Sequence, residues 1–196
     1  MIGIGLAVAA ALLAVDGPMT AWAASCRNPV LDAVVRLINP IGSGVTLLIA
    51  CMILFAGCRM LGWSWLRDAA RIGALAFAGA GLVEFALKHL VGRPRPDVAG
   101  PSLAAMWPTF MRDIDSFPSG HAASVFAVAT VFASFCPRLA GPLYTLAAAV
   151  SLGRVYLGRH YVSDIVAGAI IGTLVAVYLV RRDAQSRRMP PPAPAC

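Results

Sequence analysis

Lysine is nearly absent: 15 of the 16 basic residues are arginine, and Lys88 is the only lysine among 196 residues. Charge of either sign is scarce, at 13% of the chain where a soluble domain carries about 25%, which excludes an ordinary water-soluble fold. The five cysteines (Cys26, Cys51, Cys58, Cys136 and Cys196) show no C-x-x-C spacing and no partnering pattern, so neither a zinc site nor a disulfide framework is expected. Cys51 and Cys58 read as small apolar residues within a span. No internal repeat is evident. The basic residues form no stripe interleaved with aromatic ones, and nucleic-acid binding is not expected.

What the chain does have is apolar length, 59% hydrophobic residues with a mean hydropathy of +0.77. One spanning helix takes about 20 apolar residues, so the sequence predicts an all-α polytopic bundle of roughly five or six spans with no second soluble domain. Spans are expected near 41–61, 69–91, 119–136, 139–157 and 162–180, inside a membrane domain of residues 25–182. Residues 1–15 are also apolar, interrupted by Asp16-Gly17-Pro18 and followed by the small-x-small run Ala21-Trp22-Ala23. Segment 1–24 therefore reads either as a retained helix or as a cleaved leader lacking its usual basic start. Between Asn28 and Asn39, Val30, Leu31, Val34, Val35 and Ile38 recur at helical spacing behind Pro29, the pattern of an interfacial helix. Residues 183–196 are expected to be a disordered cytoplasmic tail ending in a Pro-rich run. Gly168 and Gly172 form G-x-x-x-G, which serves close helix packing or dimerisation.

Arginine placement sets the topology. Arg59, Arg67 and Arg71, then Arg138, then Arg181, Arg182, Arg187 and Arg188 flank spans on what the positive-inside rule makes the cytoplasmic side. Connections 92–118 and 154–161 then face outward, yet they hold Arg93, Arg95, Arg112, Arg154 and Arg159. Basic residues on the translocated side break the bias, so they are expected to bind something anionic.

Three clusters converge on that outer side: Lys88 to Pro96, Pro118-Ser119-Gly120-His121, and Gly153-Arg154 followed by His160 and Asp164. Lys88, Arg95 and Arg154 supply cations. Ser119 and the Gly120 N–H add neutral donors at a helix start, which completes an anion cradle. If His160 and Asp164 lie on one helix they share a face, so Asp164 would hold Nδ1–H and leave Nε2 free to attack phosphorus. His121, beside the cradle, would donate a proton to the leaving group and later take one from water. Each cluster alone has a bland reading: Lys88 as an ion pair with Glu84, Arg-Pro-Arg-Pro as a helix stop, a histidine as a structural residue. His89 and Arg93 fit no required place and read as rim or interfacial residues.

Taken in order, K-x6-R-P (Lys88, Arg95, Pro96), P-S-G-H (Pro118 to His121) and the run Gly153, Arg154, His160, Asp164 resemble the type 2 phosphatidic acid phosphatase superfamily, over about residues 80–175. The resemblance implies a helical core of the PAP2/vanadium-haloperoxidase kind and a phosphatase of lipid phosphates or diphosphates that needs neither metal nor other cofactor. It also implies a phosphohistidine on His160 oriented by Asp164, His121 as acid and base, and Lys88, Arg95, Ser119, Gly120 and Arg154 on the phosphoryl oxygens. One position departs: Gly153 stands where the family pattern commonly has Ser, and a hydroxyl donor is lost.

The expected partner is a lipid phosphate in the bilayer: phosphatidic acid, phosphatidylglycerol phosphate, a polyprenyl diphosphate or a lipid A phosphate. The expected location is a bacterial inner membrane, with the site on the periplasmic or extracellular face and the C-terminus cytoplasmic. Transfer from His160 to an acceptor hydroxyl, and lipid-phosphate binding or transport without turnover, are the alternatives. The segment 97–117, with Trp107, Phe110, Arg112, Asp113 and Asp115, is placed to cover the site and select the head group.

Overall fold

Three helix starts are written in the chain. Asn28 accepts from the Leu31 N–H (2.9 Å) with Pro29 in the first turn, and Ser43 and Ser119 cap two further helices with their hydroxyls. Gly62 and Gly92 close helices in the left-handed conformation, φ +75° and +55°. In the computed structural model, which describes residues 2–99, 108 and 114–188, the helices are α1 (Ile2–Ser25), α2 (Pro29–Ile38), α3 (Gly44–Leu61), α4 (Ser64–Val91), the short α5 (Pro96–Ala99), α6 (Gly120–Phe135), α7 (Ala140–Tyr156) and α8 (Val162–Arg188). There is no strand among the described residues. Three helices, α3, α4 and α8, are long and apolar enough to cross a membrane, and α6 is a shorter apolar one. The all-α transmembrane bundle expected from composition is what the chain forms.

α6 is the axis. It is apolar on every side and buried for most of its length, enclosed by α4 and α8 on one side and α7 on another. The main core joins Ile72, Ala76 and Ala80 of α4 to Ala123, Ala127 and Val131 of α6 and Ala176 of α8. Alanine dominates because lipid offers no hydrophobic drive for helix association, so close backbone packing has to hold the helices together. Gly168 and Gly172 mark where this is tightest. A Cβ on Gly168 would run into the Ser119 carbonyl oxygen, and one on Gly172 into that of Ala123. The G-x-x-x-G thus packs α8 onto α6 within the chain. Cys51 and Cys58 are buried as free cysteines.

Two expectations change. Asp16-Gly17-Pro18 does not interrupt the N-terminal helix: α1 runs through Pro18, and the Thr20 hydroxyl donates to the Asp16 carbonyl at 2.8 Å. Nor does disorder begin at residue 183, because α8 continues to Arg188, tied back by Arg187 to Asp183 (2.7 Å) and Asp68 (2.7 Å). The Pro-rich end lies outside the described residues. α2 forms where expected and leaves part of its apolar face open, in keeping with an interfacial helix: Val35 is buried, while Val30 and Leu37 are 75% and 78% exposed.

Candidate active site

The end of α4, the starts of α6 and α8 and the end of α7 meet at one end of the bundle. Backbone hydrogen bonds bind their connections into one unit: Ser116 N–H to the Arg93 carbonyl (2.9 Å), Asp97 N–H to that of Gly158 (3.2 Å), and Ser119 N–H to that of Asp164 (3.0 Å). Gly158 permits this by taking φ +70° in the turn that leads to His160.

His160 is buried, and its Nδ1 lies 2.8 Å from the Ser116 carbonyl oxygen. A carbonyl only accepts, so Nδ1 carries the proton and Nε2 keeps its lone pair. This corrects the expected arrangement. His160 precedes α8 instead of lying on it, and Asp164 in the first helical turn is 3.7 Å from Nδ1. Asp164 accepts instead from Arg93 (2.7 Å), the Ser116 hydroxyl (2.5 Å) and the Tyr161 N–H (2.8 Å). The last of these satisfies a donor at the helix start in the manner of a capping box. Ser116 thus sets the tautomer, while Asp164 acts on the ring through its charge. Burial drives the His160 pKa below the ordinary histidine value, opposed by Asp164 and assisted by Arg154 and Lys88. The imidazole is therefore neutral near pH 7.

The expected cations gather around it. Lys88 Nζ is 2.6 Å from Glu84 and 3.6 Å from Asp115, and Arg95 donates both Nε and Nη2 to Asp115 at 2.8 and 3.0 Å. The Glu84 pair expected as the bland reading of Lys88 is present, and Glu84 also lies against Gly120, where a Cβ would come within 2.7 Å of its Oε1. Burial alone would raise the Asp115 carboxyl. The Arg95 hydrogen bonds and the Lys88 charge outweigh that effect and hold it below the ordinary carboxylate range. Arg154 donates Nη1 to Asn39 at 3.0 Å, and its Nε has no partner. His121, second residue of α6, likewise has a buried Nε2 without a partner, and the cations whose charge it feels are Arg154, Lys88 and Arg95. Those are the two unpaired buried side-chain polar atoms among the described residues. Ser119 caps α6 with its hydroxyl, and Gly120 opens the helix.

Four residues escaped the sequence reading: Arg93, Asp16, Ser116 and Ser163. Arg93 is no rim residue. It is 2% exposed, donates to Asp164 (2.7 Å), Ser163 (2.7 Å) and Asp16 (2.8 Å), and lies over the Tyr161 ring at 3.9 Å. The available signal was an arginine and an aspartate in apolar surroundings, each needing a partner. His89 does behave as expected, half-buried near the end of α4 and bonded to the Phe85 carbonyl at 2.7 Å. Gly153 is buried against α2, and a Cβ there would stand 3.1 Å from Val35 Cγ1, so the missing Ser leaves room for α2. Of the segment expected to cover the site, Trp107, Phe110, Arg112 and Asp113 lie outside the described residues.

A membrane bundle that collects cations, two histidines and a carboxylate at one helix-end junction is the architecture of an integral-membrane phosphatase. The profile of the PAP2 superfamily matches residues 69–188, and the chain belongs to that family. It is 31% identical to lipid A 1-phosphatase of Rhizobium etli over 85% of this chain and 76% of that protein. It is 28% identical to phosphatidylglycerophosphatase B of Bacillus subtilis over 91% of this chain and 88% of that one. In structure it is similar to the transmembrane PAP2 type phosphatidylglycerolphosphate phosphatase from Bacillus subtilis, with TM-score 0.72 and 26% identity over 94% of each chain. The protein is thus a phosphatase of the membrane lipid phosphate class.

Proposed function

We propose that the protein hydrolyses the phosphomonoester or diphosphate of a membrane lipid through a phosphohistidine on His160, without metal or cofactor. The observation that carries this reading is the pair of unpaired buried atoms, His121 Nε2 and Arg154 Nε, beside a histidine whose tautomer leaves Nε2 nucleophilic. Buried polar atoms without partners are costly, and a phosphoryl oxygen or leaving-group oxygen would satisfy both.

The substrate phosphate displaces the Asp115 carboxylate from Lys88 and Arg95 and gains Arg154, Ser119 and the Gly120 N–H. His160 Nε2 attacks phosphorus as the P–O bond to the lipid breaks, and His121, protonated only once the negative phosphate is bound beside it, gives its proton to the departing oxygen. Water then attacks the phosphohistidine, yields a proton to His121, and releases phosphate with His160 restored. Asp164 balances the positive ring in both steps. The cations stabilise the charge on the transferring group, and each such donor is worth about 10² to 10³ in turnover.

The relatives' names share a phosphate on a lipid, which supports a lipid phosphate as substrate: lipid A 1-phosphatase, phosphatidylglycerophosphatase B and, at 33% identity over 61% of this chain, decaprenylphosphoryl-5-phosphoribose phosphatase of Mycobacterium tuberculosis. We place the protein in a bacterial cytoplasmic membrane with the site outward, because the arginine-rich start of α4 and end of α8 lie at the end opposite His160. The test is purified protein in detergent with chelator and a panel of lipid phosphates. Phosphate release lost in His160→Ala is expected, and an obligatory divalent metal would overturn the mechanism.

A further inference from the structure

The proposed mechanism uses Asp164 but leaves its neighbour Asp16 without a task. Asp16 comes from α1, 148 positions before Asp164 in sequence, and is 1% exposed. Its Oδ1 accepts from the Ser163 N–H (2.9 Å), and its Oδ2 accepts from the Ser163 hydroxyl (2.5 Å) and Arg93 Nη2 (2.8 Å). Arg93 turns its other terminal nitrogen to Asp164. We propose that Asp16 is a positioning residue for the phosphatase reaction, acting through Arg93 and Ser163 to fix the orientation and charge of Asp164 and thereby the nucleophile His160.

The argument is electrostatic. Arg93 and Asp164 alone would form a neutral pair, and the carboxylate facing His160 would lose much of its field to the guanidinium 2.7 Å away. A second carboxylate on the same guanidinium restores one negative charge to the group, next to a ring that becomes positive when it is phosphorylated. Geometry works the same way. Asp16 holds both Arg93 and the first turn of α8, the two elements that contact or carry Asp164. Both carboxylates, both terminal nitrogens of Arg93 and the Ser163 hydroxyl have partners, which a buried network requires if it is to rigidify a site. The role needs α1 in the working enzyme, since a chain cut after Ala23 would lose the carboxylate.

The experiment compares full-length wild type, Asp16→Asn and Asp16→Glu in detergent, with rates normalised to the folded fraction and with pH profiles. The reading rests on the phosphatase activity proposed above. A wild type that releases no phosphate from any lipid in the panel sinks that activity and takes this proposal with it. In an active enzyme, Asp16→Asn is expected to lower kcat by about 10- to 100-fold with KM nearly unchanged, since no phosphate ligand is touched. The acid limb of its profile is expected to move to lower pH, because a cationic His160 ring loses support. His160 is faced also by Lys88 of α4, Asp115, His121 of α6, Arg154 of α7 and Asp164 of α8, all of them unchanged in the variant. Asp16→Glu restores the charge and is expected to recover part of kcat and the parental acid limb. Folded Asp16→Asn with parental kcat and pH profile overturns the proposal. If that variant does not fold, Asp16→Leu with Arg93→Met removes the Asp16–Arg93 ion pair as a unit and leaves Asp164 to the Ser116 hydroxyl and the Tyr161 N–H. This pair folded and slow supports positioning, whereas folded and fully active, or again unfolded, assigns Asp16 to structure alone.

Discussion

Each end of the bundle carries an aspartate-arginine network, and the two are built alike in distance. At the site end Arg93 meets Asp16 and Asp164 at 2.8 and 2.7 Å; at the other, Arg187 meets Asp68 and Asp183 at 2.7 Å each. Their surroundings differ completely. The Arg93 side chain is 2% exposed between carboxylates at 1% and 0%, while that of Arg187 is 52% exposed. Equal hydrogen bonds therefore do unequal things. The exposed network is bathed by water and salt and is worth about 0 to 1 kcal/mol per pair. The buried one fixes a single arrangement, because removing one partner strands a charge in a medium that cannot solvate it.

Four measurements would break or sharpen that contrast. The largest effect is expected from Arg93→Gln, which leaves two buried carboxylates uncompensated and should cost about 3 to 5 kcal/mol, read as a large fall in thermal midpoint in detergent. Next is pH. His160 has a folded pKa below its ordinary value, so it stays neutral and nucleophilic as pH falls through 6.5, and the acid limb of kcat/KM assigned to it should lie below that point. A limb above pH 7 would contradict the burial argument. Third, Asp115→Asn removes the anion that substrate must displace, and KM should fall several-fold with kcat little changed; a rise in KM would show that Asp115 helps to hold the cradle open. The smallest effect belongs to Arg187→Ala, whose thermal midpoint should fall by an amount equivalent to less than about 1 kcal/mol and should do so less at high salt.

The same contrast explains what could be read from sequence. α2 was legible to its ends because Asn28, Pro29 and the apolar spacing are local signals. The three clusters were legible because charged residues at the ends of apolar runs stand out, and His160, His121, Lys88, Arg95 and Arg154 do come together. The Arg93 network was not legible, since its partners lie 77 and 71 residues away in the chain. Asp16 looked like a break because propensity favours a stop at Gly17-Pro18, yet α1 runs through it, with the Thr20 hydroxyl donating to the Asp16 carbonyl. For His160 and Asp164 the spacing of four suggested a shared helix, but the left-handed turn at Gly158 delays α8 until Val162, and a carbonyl from a distant segment takes the Nδ1 proton.

Two positions without side chains set how closely α8, which follows His160, lies on α6, which carries His121. Gly168 and Gly172 let α8 rest directly on the α6 backbone at Ser119 and Ala123, on either side of His121. A methyl added at either would wedge the helices apart, and a shift of about 1 Å can cost 100-fold in a transfer reaction. The spacing of the candidate site is thus machined into a seam between α6 and α8 that holds no ionisable side chain.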